Sequence, residues 1–172
     1  VESDEIRVSE IREPDLSRLA SFTCSTGEPW EELVEHQIRG PLPRRYLLSP
    51  APFDGRMLLA TGSSDELLVV GAHHIEPTLT PNVGYTEVVA VALAARGTLV
   101  TLDGGAEVSL GAFMLLTIFR QMQRLGRHPR TFARIDRRNT RSLALCDRVG
   151  LRDEYPDPHD PTLLQRWGEL PH

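Results

Sequence analysis

The stretch NTRSLALCDRVGL, residues 139–151, has helical spacing and stops at Gly150. It carries a thiol, Cys146. A thiol titrates near about 8.5, so it exchanges protons readily with another thiol, and as a thiolate it attacks carbonyls. No neighbouring histidine activates it. Free cysteine also behaves as a compact hydrophobe, and Leu143, Cys146 and Val149 recur every third residue, so both readings stand. Asn139 opens the stretch and suits a helix N-cap. A second helix start, VSLGA at 108–112, offers the free N–H groups of a first turn, which bind anions. A phosphate there would meet the backbone of Val108, Ser109, Leu110, Gly111 and Ala112. Ser109 is equally an ordinary cap. The pair His73–His74 invites a metal reading, but adjacent strand residues point to opposite faces. Cys24 and Cys146 lack metal-type spacing, and no metal is expected.

The 172 residues are 40% hydrophobic and 25% charged, a composition of globular domains. One domain over 1–172 with its own core is expected. The formal charge is −5, which disfavours nucleic acid and is compatible with a cationic amine. All 19 basic residues are arginine, so no lysine amine exists for self-acylation. No apolar run is long enough for a membrane span. The opening VESDEIRVSEIRE is too polar for a signal peptide. A cytoplasmic protein with free thiols is the expectation.

Elements must position these groups. EIRVSEI (5–11) alternates and reads as a strand. Asp15 suits the cap of a short helix, and GEPWEELVEHQIRG reads as a second helix with Pro29 in its first turn and Gly40 at its end. PLPRRYLLSPAPFDG reads as an irregular loop. RMLLATG (56–62) and ELLVVGAHHIEP (66–77) flank the hairpin signal GSSD, and YTEVVAVALAARG (85–97) follows as a third strand rich in valine. GTLVTLDGGAEV reads as a loop. A long helix runs from Ser109 through LGAFMLLTIFRQMQRLG to Gly126. TFARID (131–136) is a strand, then comes the helix at Asn139, then two strands in the tail. The order is β, α, α, β, β, β, α, β, α, β, β, which predicts an α+β domain with a central mixed, mostly antiparallel sheet flanked by helices.

This order resembles the GNAT superfamily of acyl-CoA N-acyltransferases. Its sharpest match is Asn139, Ser142, Leu145, Cys146, Gly150 and Leu151. Family members often write this as Asn, a small residue, Leu, Tyr and Gly-Phe at the same spacing. The strand YTEVVAVAL is similar to the family's fourth strand, with Glu87 ahead of Ala92–Leu93. The family's Arg/Gln-x-x-Gly-x-Gly/Ala approach is altered: Arg96–Gly97 comes early, and an insertion separates it from the helix at Leu110.

The resemblance implies an N-acetyltransferase that uses acetyl-CoA as co-substrate and attacks directly in a ternary complex. Such chemistry needs a polarised carbonyl, a neutral amine and a stabilised thiolate. Glu87 is then the base, on one strand face with Val89, Val91 and Leu93, or else a solvent-facing residue. The backbone of Leu93 and Ala94 holds the donor, with the Leu93 N–H on the thioester carbonyl. Asn139 and Ser142 lie beside the donor, and the helix start at Val108–Ala112 takes its pyrophosphate. Cys146 replaces the family's tyrosine acid, with Tyr155 as the alternative. Trp30 and the acidic helix around it fall where relatives build an acceptor pocket, or anchor to the core. Arg44–Arg45 and Arg137–Arg138 read as solvated faces, with Arg137, Arg138 or Arg141 available to the donor's 3′-phosphate. The acceptor is a small-molecule or peptide amine, and a homodimer through the C-terminal strands is a family expectation. The rival function is a non-catalytic acyl-CoA-binding module on the same fold.

Overall fold

A computed structural model describes residues 1–2, 5–48, 54–76, 79, 83–124 and 130–170. Its strands are β1 (Arg7–Glu10), β2 (Arg56–Thr61), β3 (Leu67–Glu76), β4 (Val83–Val91), β5 (Leu99–Thr101), β6 (Glu107–Ser109), β7 (Arg130–Asp136), β8 (Asp153–Pro156) and β9 (Leu163–Glu169). Its helices are α1 (Leu16–Ala20), α2 (Pro29–Arg39), α3 (Pro41–Leu48), α4 (Leu110–Arg124) and α5 (Thr140–Arg148). Seven strands form one sheet in the order β1-β2-β3-β4-β7-β9-β8, and β5-β6 is a separate hairpin. Among the described strands of this sheet, only β4 and β7 run parallel, so the sheet is mixed and mostly antiparallel, as expected.

The two faces of the sheet bury different helices. On one face, Met114, Ile118 and Met122 of α4 and Cys146 of α5 pack with Leu58, Ala60, Val69 and Ile135. On the other, Leu19, Phe22, Ile38, Leu42 and Tyr46 from α1–α3 pack on Met57, Leu59, Val70, Ala72, Val88 and Ala90. The α4 stripe needs small residues opposite it. A Cβ on Gly71 would lie 2.6 Å from the Met114 Cγ, and one on Gly84 2.6 Å from the Met122 Sδ.

Four expectations change. Residues 41–48 are helix rather than loop. Pro41 sits in the first turn and Pro43 soon after it, where a missing N–H costs nothing, and Leu42 and Tyr46, four apart, are buried. Residues 49–53 of that proposed loop lie outside the described residues, as do Leu125 and Gly126 at the proposed end of α4. The stretch GTLVTLDGGAEV (97–108) is not a loop but most of a hairpin: Leu99 pairs with Ser109 and Thr101 with Glu107. Gly104 and Gly105 have positive φ of 98° and 83° and make the turn, which only glycine enters freely. The strand expected over 85–97 ends at Val91 and passes into a 3-10 turn, Leu93–Ala95. Asp15 does precede α1, but its carboxylate accepts from the Arg12 N–H at 2.9 Å rather than from the helix.

Candidate acyl-transfer site

The parallel pair β4–β7 is short. Gly84, Tyr85 and Thr86 pair with Thr131, Phe132 and Ala133. Beyond them β4 continues to Val91 and β7 to Asp136 without pairing, so the two strands open into a cleft. Glu87 and Arg134 occupy the first unpaired register position on its two lips.

A bulge decides where Glu87 points. Thr86 pairs with His73 and Val88 with Ala72, which leaves Glu87 as one extra residue on β4. Such an insertion breaks strand alternation. Glu87 therefore does not share a face with Val89 and Val91, which pack on the α4 side. It joins Val88 and Ala90 on the α1–α3 side, where α3 meets it. The Tyr46 hydroxyl donates to the Glu87 Oε2 at 2.8 Å, Arg45 donates to the same oxygen, and the His74 Nδ1 lies 3.6 Å away. Burial pushes the carboxyl up, but the hydrogen bonds from His74, Arg45 and Tyr46 and the Arg45 charge outweigh it and hold Glu87 at about 2. Burial and the Glu87 charge in turn push the Tyr46 phenol well above its ordinary range.

The two histidines part as expected. His73 is fully buried on the α4 side, with its Nε2 3.0 Å from the Gln121 Oε1. Burial lowers it to about 4. His74 faces the cleft and meets Tyr85 edge to face at 5.0 Å. Among the described residues, no group of three or more His, Cys, Asp or Glu is placed to hold a metal ion.

The open edge of β4 carries unpaired donors. The Ala92 N–H bonds to the Leu68 carbonyl on β3, so alternation turns the N–H groups of Val89 and Val91 toward the cleft. Leu93 is a correction. Its N–H bonds to the Thr23 carbonyl at 2.7 Å, because the chain has left the strand by that point. Ala94, in the same 3-10 turn, lines a separate hollow of about 360 Å³ with Phe22, Thr23 and Leu67, apart from Glu87.

The start of α4 reaches this cleft. A Cβ on Gly111 would stand 3.1 Å from the Leu145 Cδ2 and 3.7 Å from the Val91 Cγ2, so α4, α5 and the end of β4 converge there. Val108 and Ser109 close hairpin strand β6, and Leu110, Gly111 and Ala112 are buried. The Ser109 hydroxyl accepts from the Ala112 N–H at 3.3 Å, and the Asn139 Oδ1 from the Ser142 N–H at 3.0 Å. Both are caps, and among the described residues the hydroxyl proton of one and the amide group of the other have no partner. Arg96, near the expected phosphate approach, turns away to the Cys24 carbonyl and to Glu31 at 2.9 Å.

Neither proposed acid stands ready. Cys146 is 3% exposed within the core, and burial pushes its thiol up to about 12. It behaves as the compact hydrophobe. Tyr155 is half exposed on β8, three strands from β4, which is about 14 Å at normal strand spacing. It is not at the cleft.

Several participants carried no sequence signal. Arg45 and Tyr46 lay in a stretch read as loop. Arg138 is not a plain solvated side chain: it pairs with Asp136 at 2.7 Å and stacks over Trp30 at 4.9 Å. That contact ties α2 to the β7–α5 turn. An Arg at 138 and a Trp at 30 share no pattern that would have found it.

No family model and no curated protein matches the sequence. Solved structures do match in shape. The GNAT domain of S. lividans PAT is 18% identical with a TM-score of 0.69, over 96% of this chain and 90% of that one. Spermidine N-acetyltransferase from Vibrio cholerae, in complex with CoA and spermine, is 9% identical with a TM-score of 0.63, over 98% and 97%. A chain of the NatC complex bound to Gag peptide and CoA is 14% identical with a TM-score of 0.58, over 98% and 99%. With its parted β4–β7 pair and the start of α4 beside it, this chain has the fold of the GNAT N-acyltransferases.

Proposed function

We propose that the chain is an acyl-CoA-dependent N-acyltransferase that moves an acetyl group from acetyl-CoA to an amine by direct attack in a ternary complex. The observation that supports this best is the opened β4–β7 pair, with Glu87 bulged onto its lip and unpaired N–H groups along its edge. An extended amide chain pairs with such an edge as a peptide strand does, so the cleft fits a pantetheine arm. Acetyl-CoA supplies the activated thioester. The Val89 and Val91 N–H groups hold and polarise a carbonyl, in place of Leu93. The first turn of α4, Ser109–Ala112, with Asn139 and Ser142, takes the anionic end of the donor. Glu87, ionised and fixed by three donors, orients the amine or the water that receives its proton. A carboxylate held near 2 is a weak base, so His74 beside it is the second candidate for that proton. With Cys146 buried and Tyr155 distant, the leaving thiolate takes its proton from water. General acid help is worth about 10²–10⁴-fold, and positioning supplies much of the remainder.

Isothermal titration with acetyl-CoA and CoA tests the donor site, alongside Ser109→Glu, which places a negative charge at the start of α4. Micromolar binding that the variant loses is expected. Absence of binding to the wild-type protein rejects the reading. The low pKa of Glu87 favours a second reading, a module that binds acyl-CoA without turnover. CoA release in the presence of an amine panel separates the two.

A further inference from the structure

The acceptor side of the cleft is built of rings and arginines. Tyr85, Phe132 and Trp167 stack across three strands at 4.8 and 4.6 Å, and His74 closes the row beside Glu87. The Arg134 guanidinium lies over Tyr85 at 5.5 Å and over Phe132 at 5.9 Å. Glu87 and Arg134 are the first residues that β4 and β7 leave unpaired with each other, so they stand at the same level on the two strands.

The charges on this face are layered. Asp157, at 1% exposure, holds Arg134 from behind through its Nε at 2.9 Å. Among the described residues no other carboxylate pairs with that guanidinium, and its side chain is 34% exposed. Asp157 is itself committed, accepting from the His159 and Asp160 N–H groups and from Gln165. Arg45 and Arg138 repeat the arrangement, exposed over carboxylates that are mostly buried. In all three pairs the guanidinium is the more exposed partner.

We propose that the acceptor is a small amine that also bears a carboxylate, with Arg134 binding the carboxylate while Glu87 meets the amine end. This rests on the acyltransferase reading. A planar guanidinium tethered through its Nε keeps its outer edge for bidentate recognition of a carboxylate. The arginine face repels polyamines, whose second ammonium would have to sit against it, and it favours the neutral form of the attacking amine.

The test uses matched pairs that differ in the carboxylate: 4-aminobutyrate with propylamine, L-phenylalanine with 2-phenylethylamine, and L-lysine with 1,5-diaminopentane. CoA release is followed in the presence of acetyl-CoA. The carboxylate member is expected to have a kcat/KM at least tenfold higher in a majority of pairs, through KM. Arg134→Gln is expected to erase the preference, and Arg134→Lys, which keeps the charge without the fork, to retain part of it. Thermal melts establish that both variants fold. Binding of both members of each pair is also read directly by calorimetry, with and without CoA, so the outcome does not depend on turnover. Equal or inverted preference, or no binding of any carboxylate member, overturns the proposal. Failure to bind acetyl-CoA is a separate result and overturns the acyltransferase reading.

Discussion

The Glu87 cluster makes a pH-dependent contribution to stability whose size follows from its geometry. The carboxyl falls from its ordinary 4.5 to about 2 because the donors from His74, Arg45 and Tyr46 outweigh burial. Its side chain is 16% exposed but that of Arg45 is 55% exposed, so solvent screens the Arg45 pair in part and the full shift sets an upper bound. At about 1.4 kcal/mol per pH unit, the difference corresponds to about 3 kcal/mol. A carboxyl with a depressed folded pKa stabilises above its unfolded value and loses that stability as pH falls through the folded one. The contribution is therefore complete at pH 7 and falls to about 1.4 kcal/mol at pH 3. Glu87→Gln removes the titration while keeping the shape. Urea unfolding of both proteins at pH 7, 5, 4 and 3 should give a stability gap that narrows by up to about 2 kcal/mol between pH 7 and pH 3. A gap constant within about 0.5 kcal/mol would refute the claim that this carboxylate is held ionised by its three donors.

Three other measurements follow from the packing. Gly168→Ala should destabilise more than Gly71→Ala: its Cβ would sit 2.5 Å from the Gly150 carbonyl oxygen and 3.1 Å from the Leu151 Cα, which are backbone, whereas the Gly71 Cβ meets the flexible Met114 side chain. Overpacking costs about 1–3 kcal/mol, so thermal melts should rank Gly168→Ala at or above the top of that range and Gly71→Ala within it. Asn139→Ala removes the 3.0 Å cap on the Ser142 N–H and should cost about 0.5–2 kcal/mol in a urea melt. Cys24 and Cys146 are buried free thiols, pushed up to about 11 and about 12 with burial as the leading cause. Neither should react with a thiol reagent at pH 8 until the protein is denatured, and an adduct on native Cys146 after mixing with acetyl-CoA would contradict its place in the core.

Periodicity exposed the elements whose burial follows a simple repeat. The α4 stripe, the β2–β3 hairpin with its GSSD turn, and the caps at Ser109 and Asn139 each depend on residues a few positions apart, and each was legible. The opposite placement of His73 and His74 followed from strand geometry alone. Residues 41–48 were misread because prolines outweighed the single spacing of Leu42 and Tyr46, and β5–β6 because three-residue strands have too few alternations to register.

The candidate site depended on longer-range events. A bulge at Glu87 has no local sequence signature, because it is set by the register that β3 imposes through Ala72 and His73. It moved the carboxylate to the opposite face from the one alternation predicts, and so chose Arg45, Tyr46 and His74 as its partners. The sequence by itself determined most of the elements, their order and the α+β class, because those follow from periodicity and chain connectivity; α3 and the β5–β6 hairpin escaped it. Only the tertiary structure decided which N–H groups stay unpaired, which thiol is buried and which arginine faces Glu87 across the cleft, because these depend on contacts between residues far apart in the chain, as between Thr131 and Gly84, 47 positions apart.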